Sequence, residues 1–128
     1  MTTNQIERDP LTGSVTGLAI EVHRTLGPGL LESAYEECFC YELDAHSIIF
    51  RRQVPLPVVY KTIKLDCGYR MDVPVNDKLI VELKTVETLL RVHDAQLLTY
   101  LKLSGIATGL LLNFNTAVLK DSIRRLVL

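Results

Sequence analysis

The amino-acid sequence predicts an α/β fold, with N-terminal helices followed by an antiparallel three-strand meander, another helix and further strands in a mixed sheet. Helical spacing of apolar residues occurs near the N-terminus and again after residue 88, whereas the region between is rich in β-branched residues and turn signals. The 128 residues have an ordinary globular composition and suffice for one hydrophobic core. We expect a flexible N-terminus over residues 1–13 and a single domain over residues 14–128.

The N-terminal part of the chain predicts two helices. Apolar residues spaced by three and four positions predict a first helix from Ser14. The segment 27–29, Gly-Pro-Gly, must end it, because proline cannot continue a helix and glycine accepts unusual backbone angles. A second helix is predicted over residues 30–45, with Glu32 in its first turn.

The middle of the chain predicts the three-strand meander, with antiparallel strands at 54–60, 63–75 and 78–85. Lys-Thr at 61–62 and Asn-Asp at 76–77 are the predicted turns between them. Each strand should therefore pair with the next one along the chain.

The last third of the chain predicts a helix, a buried strand and an extended tail. The clearest helical pattern runs from Thr88 to Leu103, and Gly105 lies where a C-terminal cap belongs. The segment 106–114 is a nearly continuous apolar run, typical of a central strand covered on both faces. The segment 117–128 is predicted to be extended. The buried stripe of the helix is predicted to comprise Leu90, Leu97, Leu98 and Leu101.

Chemistry-bearing side chains cluster around the third strand of the meander. Side chains alternate faces along a strand, so Glu82 and Lys84 should lie together, opposite an apolar face formed by residues 79, 81 and 83. Asp72 lies on the preceding strand. Two acids and a lysine are the minimum set for holding a divalent cation and a water next to a phosphate.

The pairing register decides whether these acids meet. With a plain two-residue loop at 76–77, Asp72 would lie opposite Val81 and point into the apolar face, where a charged carboxylate is costly. Pro74 has no N–H to donate to the ladder at this point. We therefore predict either a loop with an odd number of residues, such as 75–77, or a bulge near Pro74. Either arrangement brings Asp72 to Glu82.

The charge of the chain does not by itself predict a nucleic-acid partner. The formal net charge is −1, whereas proteins that grip duplex DNA unaided usually have a basic surface. No apolar run approaches the ~20 residues that span a bilayer, and the N-terminus lacks a signal-peptide layout. We therefore expect a cytoplasmic protein without a membrane partner.

Several motifs together resemble a known family. Glycine, glutamate and tyrosine at positions 29, 32 and 35 match the signature of the GxxExxY proteins, which are placed in the PD-(D/E)xK nuclease superfamily. Glu-x-Lys alone occurs by chance in many chains, but an ordered set of motifs is specific, and here it covers nearly the whole chain from residue 14. The further motifs, in that family's order, are Tyr69-Arg70-x-Asp72, Val81-Glu82-Leu83-Lys84, His93-x-x-Gln96-x-x-x-Tyr100-Leu101 and Leu111-Leu112-Asn113-Phe114.

The resemblance implies a PD-(D/E)xK, restriction-endonuclease-like core and a nuclease that hydrolyses phosphodiester bonds of nucleic acid with Mg²⁺ or Mn²⁺. It implies a metal site made by the carboxylates of Asp72, Glu82 and Glu32 and the backbone carbonyl of Leu83. Magnesium keeps several waters, so one or two carboxylates can hold it. Lys84 would orient the attacking water or stabilise developing charge, completing a catalytic set with the three acids.

Three residues of the following helix are expected to position substrate. Gln96 and Tyr100 resemble the Gln-x-x-x-Tyr element of RecB-like nucleases, which borders the active site. His93 lies on the same strip of the helix by its spacing. It is interpreted as structural or substrate-facing, since magnesium prefers oxygen ligands.

Each of these residues could instead have a purely structural role. Glu82 and Lys84 could form a solvated ion pair of little energetic value, and Glu32 could simply favour the positive end of its helix. Gln96 could be a helix-surface amide and Tyr100 a tyrosine at the edge of the core. At the level of function, the alternatives are a non-catalytic nuclease-fold module acting through a partner protein or homo-oligomer, and nucleic-acid binding without turnover.

Overall fold

The computed structural model describes residues 9–128, which form three α-helices, eight strands and one short 3₁₀ helix. The helices are α1 (Pro10–Leu26), α2 (Glu32–Ala45) and α3 (Arg91–Ser104). The strands are β1 (Val54–Pro55), β2 (Val58–Tyr60), β3 (Ile63–Leu65), β4 (Arg70–Met71), β5 (Val73–Val75), β6 (Leu79–Lys84), β7 (Thr108–Asn113) and β8 (Ile123–Val127). The 3₁₀ helix is Leu119–Ser122.

A four-stranded mixed sheet with the order β5-β6-β7-β8 forms the centre of the molecule. β6 and β7 are parallel and are connected through α3, whereas β5 and β8 pair antiparallel at the two edges. Parallel strands need such a crossover, and they are normally covered on both faces. The expected α/β fold with a mixed sheet is therefore confirmed, as is the central position of the strand predicted at 106–114.

The helices cover the two faces of the sheet and so create two hydrophobic cores. α1 and α2 pack on the face that carries Leu79, Val81 and Leu83. α3 packs on the opposite face, where Ile80 contacts its apolar residues. The predicted alternation along β6 is confirmed, and Glu82 and Lys84 belong by the same alternation to the α3 side.

The first helix begins earlier than predicted, at Pro10 rather than Ser14. Asp9 supplies the reason: its carboxylate accepts hydrogen bonds from the Thr12 backbone N–H (3.4 Å) and the Thr12 hydroxyl (2.7 Å). Asp is a favoured N-cap, and proline is favoured at the first helical position. The predicted flexible segment 1–13 is thus helical from residue 10, and residues 1–8 lie outside the described residues.

The predicted meander is broken into separate short ladders. β1 pairs with β4, β2 pairs with β3, and β5 alone joins β6 in the main sheet. Pro57 interrupts the first predicted strand because it has no N–H to donate. Gly68, with φ 79°, lies in the interruption of the second. The prediction of three continuous strands was therefore wrong, although the antiparallel order along the chain is retained.

The C-terminal part departs from prediction at two points. α3 begins at Arg91 rather than Thr88, and Leu90 is its exposed N-cap rather than a member of the buried stripe. The tail contains the 3₁₀ helix before the predicted extended segment, β8. The C-cap at Gly105 is confirmed by its left-handed backbone, with φ 78°.

None of the helices in the described part of the chain is long and apolar enough to cross a bilayer.

Packing of α3 on the sheet depends on a glycine in β7. A Cβ atom at Gly109 would lie 2.8 Å from both Cδ atoms of Leu97, so the Leu97 side chain, which is only 1% exposed, would have to shift within a closely packed core. We expect Gly109→Ala to lower the free energy of unfolding by about 1–3 kcal/mol through overpacking. Urea denaturation measures this change.

Gly17 provides the matched control, because it lies in α1 and a Cβ atom added there would have nothing within 4 Å. Gly17→Ala should instead raise the free energy of unfolding by roughly 0.5–1 kcal/mol. Equal stability of the Gly109→Ala protein and the unsubstituted protein would contradict the described packing of α3.

Candidate active site

The β5–β6 hairpin sets the register of the candidate site. Val75 pairs with Leu79, so the loop comprises residues 76–78, an odd number. The prediction of an odd loop is confirmed, but the loop lies one residue later than the suggested 75–77. Val73 pairs with Val81, and continuing the same register by one residue places Asp72 opposite Glu82.

Asp72 and Glu82 are joined by reciprocal hydrogen bonds to each other's strands. The backbone N–H of Asp72 donates to Oε2 of Glu82 at 2.7 Å. The backbone N–H of Leu83 donates to Oδ2 of Asp72 at 3.0 Å. The two carboxylates therefore lie on the same side of the sheet edge, as the sequence predicted.

Burial makes these carboxylates difficult to ionise together. Glu82 is only 3% exposed, and burial followed by the negative charge of Asp72 raises its pKa to about 8. Burial also raises the pKa of Asp72, against the hydrogen bond from Leu83 and the positive charge of Lys84. A buried acidic pair with raised pKa values is typical of a functional site and would be relieved by a bound cation.

Lys84 and Glu32 lie close enough to this pair to act on it electrostatically. Lys84 is half-buried, and its charge lowers the pKa values of Asp72, Glu82 and Glu32. Glu32 is the first residue of α2, and its own pKa is raised by desolvation and then by Asp72. Glu32, an exposed residue, therefore interacts electrostatically with Asp72 in addition to lying at the favourable end of its helix.

Gln96 and Tyr100 form a hydrogen-bonded pair one helical turn apart on α3. The Gln96 amide Nε2 donates to the Tyr100 hydroxyl at 2.9 Å. Tyr100 is buried, and burial followed by the charges of Glu82 and Asp72 raises its pKa to about 12. The tyrosine is thus close enough to the acidic pair to interact with it electrostatically. A groove of about 360 Å³ beside it is lined by Tyr69, Val92, His93, Ala95, Gln96, Thr99, Tyr100 and Leu103.

His93 has a structural role at the start of α3. Its Nδ1 accepts a hydrogen bond at 2.9 Å from the backbone N–H of Leu90, the N-cap residue. This contact satisfies a helix-terminal donor and fixes the proton of the neutral ring on Nε2. The ring also lines the groove, so it is available to a substrate there.

Three residues that sequence reasoning missed extend the site towards α2. Glu36 is 8% exposed and accepts hydrogen bonds from Arg52 Nη2 (2.9 Å) and Gln53 Nε2 (2.7 Å). Gln53 Nε2 also donates to Oδ1 of Asp72 at 3.3 Å. The four-residue spacing from Glu32 to Glu36 on one helix face was a usable signal. Residues 52 and 53 belong to an irregular segment without periodicity, so the sequence contains no signal that links them to the site.

The donor set fits a hard divalent cation. Within residues 9–128, no three His, Cys, Asp or Glu side chains are close enough to form a ready-made metal cluster. The acids that hydrogen bonds tie to each other's strands are Asp72 and Glu82, whereas Glu32 is coupled to them only electrostatically. Carboxylate oxygens are the ligands Mg²⁺ prefers, and one or two suffice because the ion keeps several waters. The pair therefore suits Mg²⁺ or Mn²⁺ better than a softer metal.

Residues 9–126 match the PD-(D/E)XK nuclease superfamily. The chain belongs to this superfamily. A search of curated proteins found no match, and neither did a search of solved structures. The match to the PD-(D/E)XK superfamily spans both cores and every residue of the candidate site, so the acidic pair lies inside the matched domain.

The raised pKa of Glu82 predicts a pH-dependent stability. Glu82 goes from an ordinary pKa of 4.5 to about 8 in the folded protein. Between these values the folded state holds a proton that the unfolded state has released, so the free energy of unfolding of the metal-free protein should fall as pH rises. One such proton contributes about 1.4 kcal/mol per pH unit. Urea denaturation at several pH values measures this slope.

Glu82→Gln keeps the side-chain volume and an oxygen that can accept the Asp72 N–H. In this variant we expect the free energy of unfolding to fall less steeply with pH, by about 1.4 kcal/mol per pH unit, because residue 82 no longer ionises. The variant should also be more stable than the unsubstituted protein at pH 8. Glu87→Gln, at an exposed glutamate of the following loop, is the control and should keep the full slope. An unchanged slope in Glu82→Gln would show that Glu82 ionises normally.

Proposed function

We propose that this protein is a divalent-metal-dependent nuclease of the GxxExxY type, which hydrolyses phosphodiester bonds of nucleic acid. The observation that carries the proposal is the reciprocally hydrogen-bonded pair of buried Glu82 and half-buried Asp72, with Lys84 close enough to act on both electrostatically. Ordinary surface ion pairs do not need such burial, and two buried acids destabilise each other unless a cation joins them. Membership in the PD-(D/E)XK superfamily supports nuclease chemistry independently.

The proposed Mg²⁺ or Mn²⁺ site uses the carboxylates of Asp72 and Glu82, with Glu32 as a third or outer ligand. The backbone carbonyl of Leu83 is the remaining proposed ligand. The N–H and C=O of a strand residue point towards the same neighbouring strand. Because the Leu83 N–H is directed at Asp72, the Leu83 carbonyl is also on the side of Asp72. The ion would supply Lewis-acid stabilisation of the phosphate and a more acidic bound water.

Lys84 is the proposed catalytic cation of the protein itself. It shares a face with Glu82 and lies near all three acids, so its ammonium group can orient the attacking water or stabilise charge on the phosphate. No substrate is needed to bring this lysine to the acids, because its charge already lowers the pKa values of all three in the metal-free protein. Its contribution is therefore preorganised rather than induced.

The groove on α3 is the proposed substrate-positioning surface. Gln96 and Tyr100 are held by their mutual hydrogen bond, and Tyr100 adjoins the acidic pair. His93 presents its Nε2–H while Nδ1 is occupied by the helix cap. These donors, together with the exposed ring of Tyr69, can hydrogen-bond and pack against a nucleotide that extends from the scissile phosphate.

A non-catalytic module acting through a partner protein or self-association is the second candidate. It is favoured by the β2–β3 hairpin, whose cross-strand pairing places the exposed side chains of Tyr60, Ile63 and Leu65 on one face. This hypothesis predicts self-association in sedimentation velocity, no stabilisation by metal and no cleavage of DNA or RNA. The nuclease hypothesis predicts the two opposite results for metal and cleavage.

Metal binding should stabilise the folded protein. A ligand that binds only the folded state at about 100 times its Kd adds about 2.7 kcal/mol, so Mg²⁺ or Mn²⁺ should raise Tm by several degrees. Asp72→Asn should abolish this shift and the cleavage of single- and double-stranded DNA and RNA. Differential scanning calorimetry and gel assays provide the measurements.

The control is Asp77→Asn, which alters an exposed acid in the loop of the same hairpin, where Asp77 pairs with Arg51 at 2.7 Å. It should retain both the Tm shift and any cleavage. A Tm shift of equal size in the Asp72→Asn protein would exclude Asp72 as a metal ligand.

Lys84 should act on the reaction rather than on metal affinity. We expect Lys84→Met to lower kcat by about 10²–10³, the loss typical of removing one preorganised stabilising group, while the Mn²⁺-induced Tm shift remains. Lys78→Met, at an exposed lysine of the β5–β6 loop, should leave both quantities unchanged. Full activity of Lys84→Met on the cleaved substrate would remove Lys84 from the catalytic set.

A further inference from the structure

We infer that Gln53 is a positioning residue of the candidate site, which holds the Asp72 carboxylate in one orientation through a series of side-chain contacts that begins at Arg52. The metal-binding consequence of this inference rests on the proposed function. The orientation of Asp72 itself does not, because it is a property of the metal-free protein.

The side-chain amide of Gln53 bridges two carboxylates on different elements. Its Nε2 donates to Oε1 of Glu36 at 2.7 Å and to Oδ1 of Asp72 at 3.3 Å. One amide nitrogen carries two protons, so it can serve both acceptors at once. The backbone N–H of Gln53 also donates to the backbone carbonyl of Asp72 at 2.8 Å, which fixes the distance between the two residues.

Asp72 is consequently held at both carboxylate oxygens, by donors from two different segments of the chain. Oδ1 receives the Gln53 amide, and Oδ2 receives the backbone N–H of Leu83 at 3.0 Å. A rotation about either side-chain bond of Asp72 must break one of these hydrogen bonds. Without Gln53, the carboxylate keeps a single anchor and gains rotational freedom.

The ability of Gln53 to orient the Asp72 carboxylate depends on Glu36, because Gln53 is itself exposed and water competes for its hydrogen bonds. Glu36 is 8% exposed, and its second oxygen accepts a hydrogen bond from Arg52 Nη2 at 2.9 Å. Arg52 also donates to Glu37 at 2.9 Å. The guanidinium therefore fixes Glu36, Glu36 fixes the amide, and the amide fixes Asp72.

Charge explains why an amide is suited to this position. Glu36 contributes to raising the pKa of Asp72, so these two carboxylates repel each other. The amide of Gln53 places its donor protons between them, whereas a carboxylate there would add a third acceptor without protons. The backbone of Gln53 has φ 49°, a left-handed conformation that non-glycine residues seldom adopt outside constrained or functional segments.

Gln53→Met tests the inference, because methionine has nearly the same length but no donor. We expect NMR three-bond couplings of the Asp72 side chain to report one χ1 rotamer in the metal-free unsubstituted protein and an average of rotamers in the variant. Mn²⁺ affinity, measured by calorimetry, should fall about 10- to 100-fold, as is usual when a residue supporting a metal ligand is removed. Arg51→Met is the control at a nearby exposed residue and should change neither quantity.

A second variant guards against a folding defect at this left-handed position. Gln53→Asn tolerates φ above zero, but its shorter side chain cannot reach both carboxylates. It should show the same averaging of the Asp72 rotamer. A single unaltered Asp72 rotamer in either folded variant would overturn the inference.

Failure of the inference and failure of the proposed function are distinguishable. If the unsubstituted protein binds no Mn²⁺, the metal-dependent function is wrong, and the couplings alone decide the role of Gln53. If Mn²⁺ binds equally to the unsubstituted protein and to both Gln53 variants, the metal site stands, Gln53 does not contribute to metal affinity, and the couplings again decide whether it positions Asp72.

Discussion

The enclosure of the Glu82 carboxylate beside the half-buried carboxylate of Asp72 is the constraint on which the candidate site depends. Glu82 is almost fully enclosed on β6, and Asp72 lies opposite to it at the edge of the sheet. Each carboxylate accepts a backbone N–H from the other's strand, so neither can withdraw to solvent without leaving a donor unsatisfied. The fold therefore keeps two acidic groups together, and ionising both of them costs stability, which is common at functional sites.

The surrounding structure reinforces this arrangement from both layers of helices. α2 supplies Glu32 and Glu36, and α3 supplies Tyr100, which adjoins the pair from the opposite layer. Residues 50–53 run along the outer edge of β5, and Gln53 there links Glu36 of α2 to Asp72. Lys84 contributes positive charge near the three acids whose pKa values it lowers.

Much of this arrangement could be predicted because it follows from local physics. The cost of placing Asp72 in an apolar face requires an odd loop, and the alternation along β6 separates Glu82 from the core residues beside it. The α/β class and the central strand follow from periodicity and apolar length. The break in the meander could not be predicted from the sequence pattern, because the effect of Pro57 and Gly68 depends on which strands pair in the folded protein.

The supporting residues are harder to predict for a related reason. Gln53 acts through contacts with two elements distant in the chain, and nothing in its local sequence indicates either one. Spacing places His93 on the correct strip of the helix but does not show that its ring caps the helix, so two roles stay open until the contact is seen. The prediction that Leu90 belongs to the buried stripe is wrong because the helical period does not reveal where a helix starts.

Under the proposed function, the charge balance of the site favours binding of the divalent cation before binding of the nucleic acid. The chain has a formal net charge of −1, and the candidate site concentrates acids at Glu32, Glu36, Asp72 and Glu82. Once these acids are ionised, a phosphate approaching them would be repelled, and the partly buried setting would weaken solvent screening. Under the proposed function, a divalent cation would remove that repulsion and stabilise the ionised acids at the same time. Under the proposed function, the metal therefore completes the protein's own electrostatics before nucleic acid can enter, and the weakly charged surface needs no basic patch to compensate for it.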